Sequence, residues 1–443
     1  MPFPLLSPRS KLGRAGLRTA AFAFGCAALV ASVPGCAAPG AEGAHVTPVS
    51  PLSIDDALVR KGATLAAIGN CASCHTAEHG KSYAGGRPLA TPFGTIYATN
   101  ITPDPETGIG RYSSADFLRA MHEGIARDGR HLYPVFPYDH FALATPADVQ
   151  AIYAFLMTRA PVQVQVPRNH LPFPVSVRGS VALWNALYLK DGVLQPVPGQ
   201  SAQWNRGAYL AEALAHCSAC HTPRNLLGAE KKALPYAGGE ADGWHPPALN
   251  RSSAAPTPWT SEQVYTYLRR GSEDAHGLAG GPMAEVVSNL SRVPDDDVRA
   301  IAVYIASLSA QPAPIAKARA AEGSSGDAQT VARGQVIYAG ACASCHDGGR
   351  RGNGALDLSL STAVAMPTPA NLVQIVRNGL TPAAGERGAW MPAFGAAITD
   401  AQLADLAAYL REHFAGKPAW KDVAGAAKKV REEQAKLSQA SAR

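Results

Sequence analysis

Apolar residues recur at helical spacing in paired segments along the chain. In each pair a short first pattern is followed by a longer second pattern, and the second patterns cover residues 145–158, 294–308 and 399–414. The second patterns open on capping-type stretches such as Thr145-Pro146 and Thr399-Asp400, which are typical of a helix N-terminus. Because helical periodicity dominates, the predicted fold class is all-α.

A glycine and an aromatic residue recur at matching places in the paired patterns. The first patterns carry Gly62, Gly207 and Gly334. The second patterns carry Phe155, Tyr304 and Tyr409. A glycine inside a helix costs about 1 kcal/mol relative to alanine, so its recurrence predicts a close helix crossing that a larger side chain would block. The aromatic residue is predicted to pack on that glycine.

The recurrence divides the chain into three units. We predict domains at residues 54–160, 203–310 and 329–416. Each unit also has a middle helical pattern that ends in a glycine: Gly124, Gly271 and Gly379. The linkers between the units are rich in Pro and Val, and in Ala, Ser and Gly, respectively.

A polar tail, residues 417–443, follows the third unit. It carries four apolar residues at helical spacing: Trp420, Val423, Ala427 and Val430. This face could lie on a membrane surface or on a partner. The many Lys and Glu residues favour a solvated, partly disordered helix instead.

Residues 1–36 have the pattern of an export signal. Four basic residues precede an apolar run that extends from Thr19 to about Val33. The run is too short for a secure transmembrane helix. Residues 33–36 (VPGC) resemble a bacterial lipobox, which would make Cys36 a lipid anchor, whereas ordinary cleavage nearby would discard Cys36. The predicted location is the periplasm, at the outer face of the cytoplasmic membrane.

Most of the net charge of +6 comes from the export signal. Without its four basic residues, 36 basic residues face 34 acidic ones. No block of like charge, as in a nucleic-acid-binding arm, occurs along the chain. We therefore exclude nucleic acid as a partner.

Six cysteines outside the signal form three C-x-x-C-H motifs. They cover residues 71–75 (CASCH), 217–221 (CSACH) and 342–346 (CASCH). This is the attachment signature of c-type haem. The predicted thioether bonds to three covalently bound haem c groups come from Cys71, Cys74, Cys217, Cys220, Cys342 and Cys345. The histidine that ends each motif is the predicted proximal iron ligand: His75, His221 and His346.

Zinc binding and dithiol redox chemistry are the alternatives for these motifs. Two Cys-x-x-Cys pairs could hold zinc, and one pair could be a redox site. Neither alternative explains a histidine after every pair. The repeated motif therefore favours haem.

The sixth iron ligand follows from a fixed offset in two of the units. Met283 lies 12 residues after Gly271, and Met391 lies 12 residues after Gly379. Methionine is a common distal ligand of electron-transfer haems. We predict that Met283 and Met391 are the distal ligands of the second and third haems.

The same offset in the first unit reaches Phe136, which cannot bind iron. His140 or His131 could replace the methionine, Met121 could reach in from the middle helix, or the haem could be five-coordinate. His140 is the preferred choice because it lies four residues further along the same loop. A His-ligated first haem would have the lowest potential of the three.

The order of helices and haem motif resembles class I cytochrome c. Longer stretches resemble the triheme cytochrome c subunits of bacterial membrane-bound alcohol, gluconate and aldehyde dehydrogenases. They are residues 91–104 (TPFGTIYATNITPD), 204–210 (WNRGAYL), 221–225 (HTPRN) and 281–287 (GPMAEVV). The version at residues 136–141 (FPYDHF) resembles cytochromes paired with molybdenum hydroxylases acting on aldehydes or N-heteroaromatics, rather than the alcohol dehydrogenase type.

The resemblance implies an electron-transfer subunit rather than a catalytic one. Its partners would be a catalytic dehydrogenase subunit, which in such families holds pyrroloquinoline quinone, flavin or molybdenum, and ubiquinone or a downstream cytochrome or oxidase. A membrane surface is the further expected contact. Two other functions stay open: a haem enzyme with an open first haem, and a free-standing periplasmic electron shuttle.

Overall fold

Helices are the dominant regular secondary structure of the computed structural model, which describes residues 55–190, 192–310, 327–347, 355–382 and 390–441. The signal segment, including Cys36, lies outside these ranges. The first unit and its linker contain α1 (Asp56–Ile68), α2 (Cys71–Cys74), β1 (Pro88–Thr91), β2 (Gly94–Tyr97), α3 (Ser114–Glu123), α4 (Tyr138–Phe141), α5 (Pro146–Met157) and α6 (Gly179–Tyr188).

The second and third units follow the same general order. The second contains α7 (Ala202–Tyr209), a π-helical turn (Leu210–Leu214), α8 (Cys217–His221), α9 (Ser261–Arg270), β3 (Ser272–Glu273), β4 (Gly277–Leu278), α10 (Pro282–Leu290) and α11 (Asp295–Leu308). The third contains α12 (Ala328–Ala341), α13 (Ala343–His346), a 3₁₀ turn (Leu358–Leu360), α14 (Thr362–Ala365), α15 (Ala370–Asn378), α16 (Asp400–Ala415) and α17 (Val423–Ser441).

The strands of the described residues form two small antiparallel hairpins. β1 pairs with β2, with Pro88 opposite Tyr97, and β3 pairs with β4. Both hairpins are short, so the described residues agree with the predicted all-α class except for these few strand residues.

The predicted long helices begin at their predicted caps. α5 starts after Thr145, whose side chain accepts a hydrogen bond from the backbone N–H of Asp148. α16 starts after Thr399, which forms a reciprocal capping box with Gln402. Such caps satisfy backbone donors that the first helical turn leaves unpaired.

Glycine allows the paired helices to cross at backbone contact, as predicted. A Cβ added at Gly62, Gly207 or Gly334 would lie 1.9, 1.9 or 2.1 Å from a carbonyl oxygen of α5, α11 or α16. The same added atom would lie 2.8, 3.0 or 2.8 Å from the Cβ of the aromatic residue on that helix, which is Phe155, Tyr304 or Tyr409. The same construction therefore recurs three times in the described residues.

We expect Gly334→Ala to destabilise the third unit by about 3 kcal/mol or more, because overpacking against a backbone atom cannot be relieved by a side-chain rotation. Gly340→Ala on the same helix is the matched control, since nothing lies within 4 Å of a Cβ at that position. Thermal unfolding followed by circular dichroism measures both. Equal stability of the two variants would contradict the close crossing.

Two hydrophobic clusters form most of the core of the described residues. One is continuous across the first two helix pairs and includes Leu65, Ile152, Leu214 and Ile301. The other belongs to the third pair. The first two units therefore share a core, which fixes the relative position of their haem motifs.

The C-terminal tail packs on the third unit instead of remaining solvated. α17 buries Val423, Ala427 and Val430, which are 4%, 0% and 3% exposed, and it joins the cluster formed by α15 and α16. The expectation of a solvated helix is wrong here, because the apolar stripe meets a complementary face within its own chain. No helix of the described residues has the length and apolarity needed to cross a bilayer.

Candidate haem sites

Each C-x-x-C-H motif lies in a short helical turn directly after the first long helix of its unit. In the first two units the turn is preceded by a left-handed residue, Asn70 at φ 56° and His216 at φ 42°. Backbone of this kind reverses the chain direction sharply. The motif therefore faces the space between the first helix and the rest of the unit.

The three motif histidines share one hydrogen-bond arrangement. Nδ1 of His75, His221 and His346 lies 2.6, 2.7 and 2.8 Å from the backbone carbonyl oxygens of residues 99, 247 and 356, respectively. A carbonyl oxygen can only accept, so Nδ1 carries the hydrogen in each ring. Nε2 is then left with a lone pair, which is the form that a metal-ligating histidine needs.

Burial keeps two of these rings neutral. It lowers the pKa of His75 and His221, although the hydrogen bond to the carbonyl acts in the opposite direction. A neutral imidazole is the iron-binding species because its Nε2 is unprotonated. At the first two motifs, the hydrogen bond places the hydrogen on Nδ1 and burial disfavours protonation of Nε2.

Several motif cysteines have a raised thiol pKa, although solvent reaches the side chains of all six. Burial raises the pKa of Cys71 and Cys217 to about 12 and that of Cys74 and Cys342 to about 11. A catalytic dithiol needs a lowered pKa, so this environment does not suit dithiol redox chemistry. In the part of the chain that the structure describes, no three His, Cys, Asp or Glu side chains converge as ligands for a free metal ion.

One continuous cavity of about 3810 Å³ connects the three motifs. Its wall includes all six motif cysteines, the three motif histidines and both predicted distal methionines, Met283 and Met391. The remaining wall is largely apolar. Such a lining suits flat, mostly apolar groups that are attached at one edge and coordinated from above and below.

The two predicted distal methionines reach this cavity from different local structures. Met283 lies in the first turn of α10, after Gly281, whose φ is 56°. Met391 pairs with Leu380 in an isolated antiparallel bridge. Their assignment as iron ligands stays a prediction.

Aromatic rings occupy the corresponding place in the first unit. Phe136 lines the cavity, and its ring centroid lies 5.5 Å from that of Phe141 and 6.2 Å from that of Tyr138. Met121 also lines the cavity and is 5% exposed. Among the described residues, His131 and His140 are not part of the cavity wall.

His140 is instead an interdomain contact. Its Nδ1 lies 2.8 Å from the carbonyl oxygen of Glu212, and its Nε2 lies 2.8 Å from Oε1 of Glu230. Both nitrogens are thus bonded to residues of the second unit, and binding iron would require breaking one of these bonds. This geometry counts against the assignment of His140 as the first distal ligand.

The second unit also contacts the first haem motif directly. Asn289 Nδ2 donates to Ser73 Oγ at 3.0 Å, and Arg87 Nη1 donates to the carbonyl of Ser73 at 2.5 Å while pairing with Glu285 at 2.7 Å. α10, which carries Met283, therefore rests on the first motif. Sequence reasoning missed these contacts because the partners are about 200 residues apart and no local pattern links them.

The helix pairs, the motif histidines and the shared cavity define a protein of the cytochrome c class. The family model described as Cytochrome c matches residues 59–160 and 205–309. The model described as Cytochrome C oxidase, cbb3-type, subunit III matches residues 329–410.

Comparison with known proteins shows which family of cytochromes c this chain resembles. The gluconate 2-dehydrogenase cytochrome c subunit of Pantoea cypripedii is 38% identical over 392 residues, covering 81% of this chain and 86% of that protein. An alcohol dehydrogenase (quinone) cytochrome c subunit of Komagataeibacter europaeus is 36% identical over 410 residues, covering 87% and 86%. This chain belongs to the family of cytochrome c subunits of dehydrogenases, and its cytochrome c domains carry covalently bound haem c.

A third relative is longer. A nicotinate dehydrogenase subunit of Pseudomonas putida is 48% identical over 397 residues, which cover 88% of this chain and 33% of that protein. The chain therefore spans about a third of the length of this relative.

Proposed function

We propose that this protein is a triheme cytochrome c that carries electrons away from a catalytic dehydrogenase subunit. The observation that carries the proposal is the repeated histidine arrangement, in which Nδ1 of His75, His221 and His346 meets a backbone carbonyl and Nε2 is left free. Haem c supplies iron that alternates between the ferric and ferrous states. The count of three haems rests on three motifs built in the same way.

The chain would hold these groups as three tandem class I cytochrome c domains at residues 54–160, 203–310 and 329–416. The cysteines of each motif would attach the haem edge, and the histidine would bind iron from one side. Met283 and Met391 would bind from the other side in the second and third domains. The protein tunes each haem through its axial ligand, burial and hydrogen bonds.

The proposed electron donor is a molybdenum-type dehydrogenase acting on an aldehyde or an N-heteroaromatic compound. The 48% identity with the nicotinate dehydrogenase subunit supports this choice over the quinoprotein alcohol type, whose cytochrome subunit is 36% identical. The aromatic sequence at residues 136–141 supports it as well.

An exposed apolar surface supports a subunit rather than a diffusing shuttle. Leu183 and Leu187 on α6 are 66% and 58% exposed, and Leu226 is 95% exposed. Trp184 Nε1 donates to the carbonyl of Leu227 at 3.0 Å and so holds α6 against the loop that carries Leu226. The same side chains also line one edge of the haem cavity, and apolar side chains grouped in this way are typical of protein contact sites.

The proposed acceptor is ubiquinone or a downstream cytochrome or oxidase of the respiratory chain. The proposed location is the periplasm at the outer face of the cytoplasmic membrane, with Cys36 as a candidate lipid anchor. The export-signal pattern of residues 1–36 supports the location. A Cys36→Ala chain that still sediments with membranes would contradict the anchor.

Purification of the tagged full-length protein from host membranes in mild detergent tests the function. A molybdenum-containing dehydrogenase in stoichiometric amount is the expected companion, and three haems per chain should appear in the pyridine haemochrome assay. A cytochrome that stays alone after gentle extraction would contradict the subunit role. A companion with quinone or flavin would overturn the molybdenum assignment.

A second function, small-ligand binding at the first haem, is favoured by one observation. Phe136 fills the methionine place, and both nitrogens of His140 are bonded elsewhere. An iron with no sixth protein ligand would bind cyanide or peroxide directly. Met121 is the remaining residue among the considered alternatives that reaches the cavity.

We expect Phe136→Met to convert the first haem from high spin to low spin and to raise its potential, because a thioether would then lie at the distal position. Phe141→Met is the matched control, since Phe141 lines the same cavity beside Phe136. Low-temperature electron paramagnetic resonance measures the spin state. A wild-type spectrum without any high-spin haem would indicate that Met121 or another residue already binds the iron.

A further inference from the structure

His276 is a buried histidine that the proposed axial ligation leaves unused. It is 8% exposed, and neither of its ring nitrogens has a hydrogen-bond partner in the described residues. Leaving a buried polar group unpaired is unfavourable. Buried polar atoms are nearly always satisfied in folded proteins, so the ring needs a hydrogen-bond partner beyond the described residues.

The position of this ring is closely determined. His276 lies at the turn between β3 and β4, and its backbone N–H donates to the carbonyl of Glu273 at 3.2 Å. Its ring stacks on Trp259 with centroids 3.5 Å apart and an interplanar angle of 10°. The hairpin and the stack together hold the imidazole in this orientation.

Both rings line the haem cavity together with His221 and Met283 of the same unit. The iron of a haem held there would have both axial positions filled by these two residues. The other strong acceptors that a haem presents are its two propionate carboxylates. A carboxylate that accepts from an imidazole N–H makes a charge-assisted hydrogen bond, which is shorter and stronger than a neutral one.

We propose that His276, held flat against Trp259, donates a hydrogen bond to a propionate of the second haem. This inference rests on the proposed function, since it requires a haem in the second unit. The hydrogen bond would anchor that edge of the haem and withdraw negative charge from the iron environment. His276 is therefore a cofactor-binding residue that also tunes the potential.

The surroundings of the hairpin place this anchor beside the third unit. A Cβ at Gly277, the next residue, would lie 3.0 Å from Cδ2 of Leu356. The carbonyl of Leu356 accepts the hydrogen bond from His346. The proposed propionate site thus adjoins the loop that orients the third motif histidine.

The test uses the full-length haem-loaded protein and a spectroelectrochemical titration. Met283→His identifies the wave of the second haem, because replacing a methionine ligand by histidine lowers its potential. His276→Phe preserves a stackable ring but has no donor, and it should lower this same wave. We expect a three- to tenfold change in the oxidised-to-reduced ratio, which corresponds to about 28–59 mV at 59 mV per decade.

Two further variants separate a hydrogen bond from packing. His276→Gln retains a donor and should restore most of the shift. His413→Phe changes another stacked histidine, 5.0 Å from Tyr409 and outside the cavity wall, and should move no wave. Three potentials would each overturn the inference: an unchanged second wave in His276→Phe, a changed wave of another haem, or no rescue of the second wave in His276→Gln. Loss of the second haem from both variants would overturn it as well. Absence of a second haem from the wild-type protein would instead contradict the proposed function.

Discussion

Met391→Leu should convert the third haem from six-coordinate low spin to five-coordinate high spin. Leucine has nearly the same volume as methionine but no thioether sulfur, so the fold should tolerate it while the iron loses its distal ligand. Low-temperature electron paramagnetic resonance of the oxidised protein should show one new high-spin haem. We expect the potential of that haem to change on the order of 0.1 V, a fraction of the roughly 0.8 V that axial ligands span.

Met366→Leu provides the matched control in the same unit. Met366 also lines the cavity and is 6% exposed, but its sulfur accepts a hydrogen bond from Asn371 Nδ2 at 3.3 Å. In this variant, each haem that is low spin in the wild-type protein should remain low spin. High spin in Met366→Leu and not in Met391→Leu would mean that the 12-residue offset identified the wrong methionine.

His140→Ala should destabilise the joined first and second units by about 3 kcal/mol, because it leaves a largely buried carboxylate without its partner. The side chains of His140 and Glu230 are 8% and 17% exposed, and Ser218 donates a further hydrogen bond to Glu230 at 2.9 Å. Urea unfolding measures the change, and a double-mutant cycle with Glu230→Ala isolates the pair.

The same variant distinguishes a structural contact from an iron ligand. His79→Ala is the control, since His79 pairs with Glu78 at 3.8 Å but both side chains are exposed, and we expect no measurable change from it. A first haem that turns high spin in His140→Ala, with unchanged unfolding, would restore His140 as its distal ligand.

The contribution of this pair should depend on pH in a defined direction. Burial lowers the pKa of His140, but the hydrogen bond and charge of Glu230, the charge of Asp139 and the hydrogen bond to the Glu212 carbonyl together raise it to about 9 from the ordinary 6.5. The stabilisation from His140 is therefore fully present below pH 6.5 and is lost as the pH rises through about 9. Burial is the largest single effect on Glu230 and raises its pKa, but the hydrogen bond and charge of His140, together with Ser218 and Arg224, lower the pKa below the ordinary 4.5. The contribution of Glu230 is therefore lost only in acid.

Local patterns were sufficient for the long helices and for the helix crossings. The starts of α5 and α16 were predicted from Thr145 and Thr399, since a capping side chain acts on N–H groups a few residues away. Gly334 predicted a crossing because a helix interior tolerates glycine poorly without a packing reason. The packing of α17 was missed, since an apolar stripe does not indicate which surface will cover it.

The three C-x-x-C-H motifs are enough to predict haem c attachment, because this attachment requires two thiols and a histidine within five consecutive residues. The free nitrogen of each motif histidine is instead set by the fold, because the carbonyl of Thr99, Pro247 or Leu356 is brought to the other nitrogen from another part of the unit. The fold also gives His140 and His276 different surroundings. Neither histidine belongs to a haem motif. His140 is paired across the contact between the first two units, whereas His276 is buried against Trp259 in the haem cavity with no hydrogen-bond partner among the described residues. No local pattern predicts this difference, because long-range packing sets the partners of a side chain.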